Sequence, residues 1–265
     1  MQPRKAYFYT GRRGRMEKTM IRSILSVLLL TIYLILSLPV MLLFKIIELV
    51  NPIFAETAMY RIIQTMTRII AWVAGCRPTV IGLENIPKDE AVLFIGNHQS
   101  YFDIVLGLCL IPPRCAYVAK KELLRFPLLN LNMLFIHCLF LDRDNLKKGL
   151  ETIKTAIQSI KDGRSMFIYP EGTRNKGPEL PLMEFHRGSF KIAQRTGCRI
   201  IPVAFTNTAE ILERHFPIMK KTHVVVEFGK PVAYGDLSRD QQKQIDTYYR
   251  DVLTEMVEKN RKLLP

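Results

Sequence analysis

Ala91-Val92-Leu93-Phe94-Ile95-Gly96-Asn97-His98-Gln99-Ser100-Tyr101-Phe102-Asp103 is the stretch that decides the architecture. Five consecutive apolar residues closed by a glycine predict a short strand covered on both faces. Ser100 is an N-cap candidate for a helix starting at the next residue, which puts Asp103 in its first turn. A histidine at the carboxyl end of a strand stands where sites form in α/β sheets. Asp103 follows His98 by five positions, an offset that turns about 140° on a regular helix. The two side chains can meet only if His98 lies in the turn before the helix. Two readings remain open. Ser100 and Asp103 form a capping arrangement with His98 as a plain loop residue, or Asp103 fixes the tautomer of His98, whose other nitrogen accepts a proton from a hydroxyl.

Outward from this stretch, short apolar runs recur at 79–81, 116–119, 138–141, 165–169, 200–205 and 224–228, which with 91–95 makes seven candidate strands. Between them, Leu146, Leu150, Ile153, Ile157 and Ile160 recur at helical steps, with Gly163 placed for a left-handed C-terminal residue. Ile245, Tyr249, Val252 and Met256 stripe a last helix whose cap is read at Ser238. Both stripes are expected to face a core. The alternation predicts an α/β domain over residues 77–265 with a mostly buried mixed sheet of about seven strands flanked by helices.

Residues 1–76 read differently, as a basic leader with membrane-anchoring helices. The chain carries 38 Lys and Arg against 24 acidic residues, a net +14, and is 48% hydrophobic, which excludes disorder. Arg4, Lys5, Arg12, Arg13, Arg15, Lys18 and Arg22 face only Glu17 in the leader, directly before residues 24–44, which hold no charge. Such a run is long enough to span a bilayer, and Pro39 is expected to kink or end it. The weaker apolar stretch 55–74 is interrupted by Arg61 and Arg68, with Trp72 near its end. It is expected to be amphipathic and to lie at the interface, so that the pair anchors in one leaflet. A hairpin through the bilayer is the alternative. The basic leader places the domain over residues 77–265 on the cytoplasmic face, at a bacterial cytoplasmic membrane before an endoplasmic reticulum. The charge favours an anionic lipid or phosphorylated substrate; no basic–aromatic platform accompanies it, so nucleic acid is not an expected partner. Cys76, Cys109, Cys115, Cys138 and Cys198 are odd in number and widely spaced, which predicts reduced, mostly buried thiols. His215 and His223 read as ordinary surface or core residues.

No dinucleotide fingerprint, Walker A loop, H-E-x-x-H or G-x-S-x-G elbow is present. A second chemistry-bearing loop is Tyr169-Pro170-Glu171-Gly172-Thr173-Arg174, again after a strand. Its glycine permits close backbone approach, Thr173 offers a hydroxyl, and Arg174 can grip an oxyanion. It reads equally as a Pro-Gly turn with a surface Glu–Arg pair. Arg143 in Leu141-Asp142-Arg143 is a third basic residue after a strand.

Four blocks taken together resemble the glycerolipid acyltransferase family, and specifically its 1-acyl-glycerol-3-phosphate acyltransferases. They are Asn97 to Asp103, Lys120-Lys121-Glu122-Leu123 through Pro127 to Asp142-Arg143, Tyr169 to Arg174 (with Tyr where the family usually has Phe), and Ile201-Pro202-Val203. The resemblance implies a glycerolipid-acyltransferase-like fold with an apolar N-terminal anchor. It implies His98 as general base and Asp103 as its orienting partner. Asn97, Lys120, Arg143 and Arg174 would contact substrate, the three cations holding the acceptor phosphate, with Glu171, Gly172 and Thr173 shaping the pocket. The implied reaction is attack of the lysophosphatidic acid hydroxyl on an acyl thioester, acyl-CoA or acyl-carrier protein, giving phosphatidic acid without a metal or bound cofactor. Two departures stand out: Asn130 and His137 occupy positions where the family usually has glycines, and Phe185-His186-Arg187-Gly188 replaces its Phe-Lys-x-Gly. Two other functions stay open. One is the same chemistry on another lysophospholipid or an amino-lipid; the other is a non-catalytic module that binds anionic lipid.

Overall fold

The computed structural model describes residues 6–143 and 145–265, with side chains from Thr19 onward except at position 146. Arg4 and Lys5 therefore lie outside the described residues, as do the side chains of Arg12, Arg13, Arg15, Glu17, Lys18 and Leu146. Two helices come first, α1 (Ala6–Glu48) and α2 (Pro52–Ala74). Pro39 sits inside α1 without ending it. A proline removes one intrahelical bond while its fixed φ suits a helix, and Met41, two residues on, is buried against the rest of the protein. The turn into α2 is set locally. The Asn51 side chain accepts from the Phe54 amide at 3.1 Å, Pro52 takes the first helical position, and Gly75 closes the helix at φ +81°.

α1 is built inside out. The side chains it buries include Ser26, Tyr33 and Ser37, whereas Ile24, Val27, Leu28, Ile35, Leu36, Leu42, Leu43 and Ile46 are exposed. The Tyr33 hydroxyl donates to Asn132 Oδ1 at 2.7 Å, the Asn132 amide donates to Ser37 Oγ at 3.0 Å, and the Met219 amide donates to Ser23 Oγ at 2.7 Å. In α2, Met59, Tyr60, Ile63 and Ile70 face inward, Arg61 and Trp72 face outward, and Arg68 reaches back to the Cys109 carbonyl.

The α/β part follows in the order β1 (Cys76–Ile81), β2 (Leu93–Gly96), α3 (Tyr101–Leu110), β3 (Cys115–Lys120), α4 (Leu129–Phe135), β4 (Leu139–Leu141), α5 (Leu146–Lys161), β5 (Ser165–Ile168), α6 (Lys191–Thr196), β6 (Arg199–Thr206), β7 (Thr222–Phe228), β8 (Val232–Ala233), α7 (Arg239–Lys243) and α8 (Ile245–Arg261). All seven expected strands are present, and β8 adds an eighth. They form one mixed sheet ordered β1-β7-β6-β2-β5-β3-β4, with β8 on β6. β6, β2, β5, β3 and β4 run parallel, while β7 and β8 pair antiparallel with β6. Because side chains alternate along a strand, Phe94, Phe167, Ile201 and Phe205 face a core shared with α1, α2 and α3. Leu93, Ile95, Met166, Ile168 and Ile200 face the opposite core, against α5, α6 and α8.

Three details of the helices depart from expectation. Ser238 caps the five-residue α7, not α8, whose N-cap is Gln244. The buried stripe of α8 is Ile245, Tyr249, Leu253 and Val257, one position on from Val252 and Met256. In α5 the core contacts come from Ala156 and Ile160, with Ile153 and Ile157 half-buried and Leu150 exposed. Gly163 does adopt φ +76°. All five cysteines are free thiols, four of them buried.

Candidate active site

Five parallel strands deliver their carboxyl ends to one edge of the sheet, and the candidate residues follow four of them. His98 comes after β2, Glu171 to Arg174 after β5, Lys120 at the end of β3, and Arg143 after β4. Ile95 pairs with Ile168 across β2 and β5, so residues three further on in each strand, His98 and Glu171, emerge side by side.

His98 lies in the turn before α3, as the five-residue offset requires. Its Nδ1 is 2.8 Å from Asp103 Oδ2. That oxygen also accepts the backbone amides of Gln99 at 2.7 Å and Ser100 at 2.8 Å, while Oδ1 accepts the Thr208 hydroxyl. Ser100 and Asp103 form a reciprocal capping box. The capping box and the His98–Asp103 contact coexist: the carboxylate that caps the helix also holds the imidazole. Asp103 is 0% exposed and the His98 side chain 12%. With Nδ1–H donating to Asp103, Nε2 carries the lone pair, and it has no hydrogen-bond partner among the described residues.

The ring is held from the side as well. Tyr169 stacks on His98 at 4.1 Å between centroids and 23° between planes, and Phe167 supports Tyr169 at 4.7 Å. Glu171 Oε1 accepts the His98 amide at 2.7 Å and Oε2 the Met183 amide at 3.2 Å. At 3% exposure, burial pushes the Glu171 carboxyl up to about 7, against the pull of those two amides, and the Asp103 charge adds to the rise. Asn97 departs from expectation. It is 0% exposed, and its amide is committed to the Phe205 backbone in both directions, 2.8 Å each way. It ties the loop to β6 and cannot face a substrate.

The cations divide into two groups. Lys120 Nζ donates to Thr173 Oγ1 at 3.1 Å. Gly172 has φ +70°, and a Cβ there would lie 2.9 Å from His186 Cδ2 and 3.2 Å from Arg143 Cζ. Glycine favours that backbone conformation and leaves room for the approach, and Lys120, Arg143, Thr173 and His186 gather around the turn. Arg174 goes elsewhere: its guanidinium carbon lies over the Tyr101 ring, 3.7 Å from the centroid, and Nη1 is 3.2 Å from Glu213 Oε1. Of the two departures from the resembled pattern, His137 holds the left-handed conformation at φ +59° and Asn130 does not, being inside α4; Leu128, just before that helix, has φ +67°. His215 pairs with Glu210, and His223 with Thr79. Thr208 and Glu213 carry no sequence signal, because the residues they meet at the start of α3 lie more than a hundred positions away. Among the described residues no set of three or more His, Cys, Asp and Glu side chains is placed to hold a metal ion.

The family model described as Acyltransferase matches residues 77–206. A protein of Saccharomyces cerevisiae named 1-acyl-sn-glycerol-3-phosphate acyltransferase is 30% identical over 182 residues, which cover 68% of this chain and 60% of that protein. The chain thus spans less than two thirds of the length of that relative. A protein of the same name from Borreliella burgdorferi is 29% identical over 191 residues, 72% of this chain and 76% of its own length. In fold, the crystal structure of the 1-acyl-sn-glycerophosphate acyltransferase of Thermotoga maritima superposes with a TM-score of 0.77 at 23% identity, covering 92% of this chain and 98% of that one.

Proposed function

This chain belongs to the Acyltransferase family, and we propose that it moves a fatty acyl group from an acyl thioester to the free hydroxyl of lysophosphatidic acid, forming phosphatidic acid. The observation that carries the proposal is the His98 imidazole, oriented by a buried carboxylate with its other nitrogen unpartnered among the described residues. Nε2 accepts the hydroxyl proton as the oxygen attacks the thioester carbonyl. The new ester bond forms, the C–S bond breaks, and the departing thiolate takes up the proton held by His98. Asp103 stabilises the intervening imidazolium. A thioester is already activated, so alignment of two bound substrates and one base account for most of what is asked of the protein. Lys120 and Arg143, with Arg174, hold the acceptor phosphate. An acyl-CoA or an acyl-carrier protein serves as donor, itself anionic and suited to the net +14.

The protein works at a membrane. Within α1, residues 19–48 form a helix long and apolar enough to cross a bilayer. Yet α1 is bonded to the rest of the protein from Ser23, through Tyr33 and Ser37, to Lys45, which lies over the Phe135 ring. Those positions extend along about 33 Å of helix. A helix flanked by its own domain over that length supports anchoring in one leaflet, with the exposed apolar side in lipid. The catalytic domain then sits on the cytoplasmic face with the basic leader.

The test is direct. The purified full chain in mixed micelles is offered lysophosphatidic acid with acyl-CoA and with acylated acyl-carrier protein in turn, and phosphatidic acid is quantified. Product is expected with at least one donor; none with either defeats the proposal.

A further inference from the structure

Glu213 stands in a one-turn helix between β6 and β7 (Glu213–His215) and touches both chemistry-bearing loops. Its Oε2 accepts the Ser100 hydroxyl at 2.6 Å. Its Oε1 accepts the Tyr101 amide at 2.7 Å and Arg174 Nη1 at 3.2 Å. Ser100 and Asp103 form the reciprocal cap of α3, and Glu213 completes it by accepting the further first-turn amide of Tyr101. It also adds a link to Arg174, whose guanidinium it fixes over Tyr101. Tyr101, Arg174 and Glu213 line a cleft of about 390 Å³ with Lys176, Arg214 and Phe216.

We infer that Glu213 is a positioning residue for acceptor binding: it holds Arg174 in the one orientation that presents its other N–H donors to the acceptor's phosphate. A guanidinium has five donors, and Glu213 engages one. Without the carboxylate, a long flexible side chain must be immobilised each time substrate binds, which weakens binding. The opposing effect is that a carboxylate beside Arg174 lowers the local positive charge. That effect is the smaller one here. The contact to Arg174 is single, and the same carboxylate is neutralised in part by the helix N-terminus and by two further donors.

This role for Glu213 rests on the acceptor phosphate lying at Arg174, and the experiment separates the two. Steady-state kinetics of the full chain in mixed micelles vary lysophosphatidic acid at saturating donor. E213A is expected to raise KM about tenfold with kcat within about threefold and the pH–rate profile unmoved, because His98 and Asp103 are untouched. E213Q keeps a carbonyl for Tyr101 and Arg174 and is expected to return KM to within about threefold of wild type. Three results overturn the inference: a KM that is unchanged or lower in E213A, a kcat that falls while KM stays, or an E213Q as impaired as E213A. Should E213A fail to fold, E213D, one methylene too short to hold all three donors, must show the KM rise, and a wild-type KM in E213D overturns the inference equally. A wild-type KM in R174A instead defeats the placement of the phosphate, whatever Glu213 does.

Discussion

The two loops that meet at the carboxyl edge of the sheet are built by opposite means. Around His98 the polar groups are locked: Asp103 holds four donors, Asn97 is bonded to the Phe205 backbone, and Glu171 holds the His98 amide. Around Gly172 the cations Lys120 and Arg143 stand at the surface, brought together by one left-handed glycine. A base must be aimed before substrate arrives, since a misplaced lone pair transfers no proton. A phosphate-binding group can adapt as the ligand docks. The contrast predicts that changes in the first loop act on turnover and changes around the second on affinity.

The largest effect is expected at the imidazole. H98A removes the ring nitrogen placed to take the proton, and kcat should fall on the order of 10²–10⁴-fold with KM within a few-fold. Residual turnover near that of wild type would end the role of His98. D103N comes next. An asparagine carbonyl can still accept the three donors now on Oδ2, with its amide turned to Thr208, so the loop keeps its shape while the charge opposite the imidazolium is lost. A fall of about 10²-fold in kcat is expected, smaller than for H98A, with near-UV circular dichroism unchanged. A D103N enzyme at full rate would mean that Asp103 only caps α3.

The surface cations should behave in the other way. R143A and K120A each remove a charged donor from the region of Gly172, worth about tenfold in KM for lysophosphatidic acid, with kcat altered less. A lysophospholipid without a phosphomonoester should be insensitive to both. If its KM rises equally, the cations support the fold around the turn and not the phosphate.

How far the sequence foretells this depends on the reach of each contact. The β2–α3 unit is legible because its signals are local: a five-residue apolar run, a capping serine, and an aspartate within one turn. The stripe of α8 sits one residue away from its expected place because Tyr249 is followed by apolar side chains at both helical spacings, Val252 and Leu253, then Met256 and Val257, and only the packing chooses between them. β8 is two residues long, too short to show a period. The resemblance places Asn97 among the substrate contacts, but its partner is the backbone of Phe205, 108 positions on. Lys120, Arg143 and Arg174 look like one group because each stands near a strand end. Their division by Glu213 and Gly172 arises from contacts between loops that no spacing encodes.

The smallest effect concerns Glu171, the joint between the two loops. Its folded-state pKa near 7 lies above the ordinary carboxyl value of 4.5, so between those pH values the folded chain retains a proton that the unfolded chain has released. Stability must therefore fall as pH rises from about 4.5 through 7, and the full penalty of a buried charge is present above that window. E171Q removes the titration while leaving one of the two backbone amides, His98 or Met183, without its acceptor. Wild type should lose a few degrees more in Tm than E171Q between pH 5 and pH 7.5, since at this chain length each kcal/mol moves Tm by about 2–4 °C. Parallel melting curves for the two proteins across that range would mean that Glu171 is ionised throughout. The joint between the base loop and the cation turn would then be a charged clamp at every working pH, not one that loosens as the carboxyl gives up its proton.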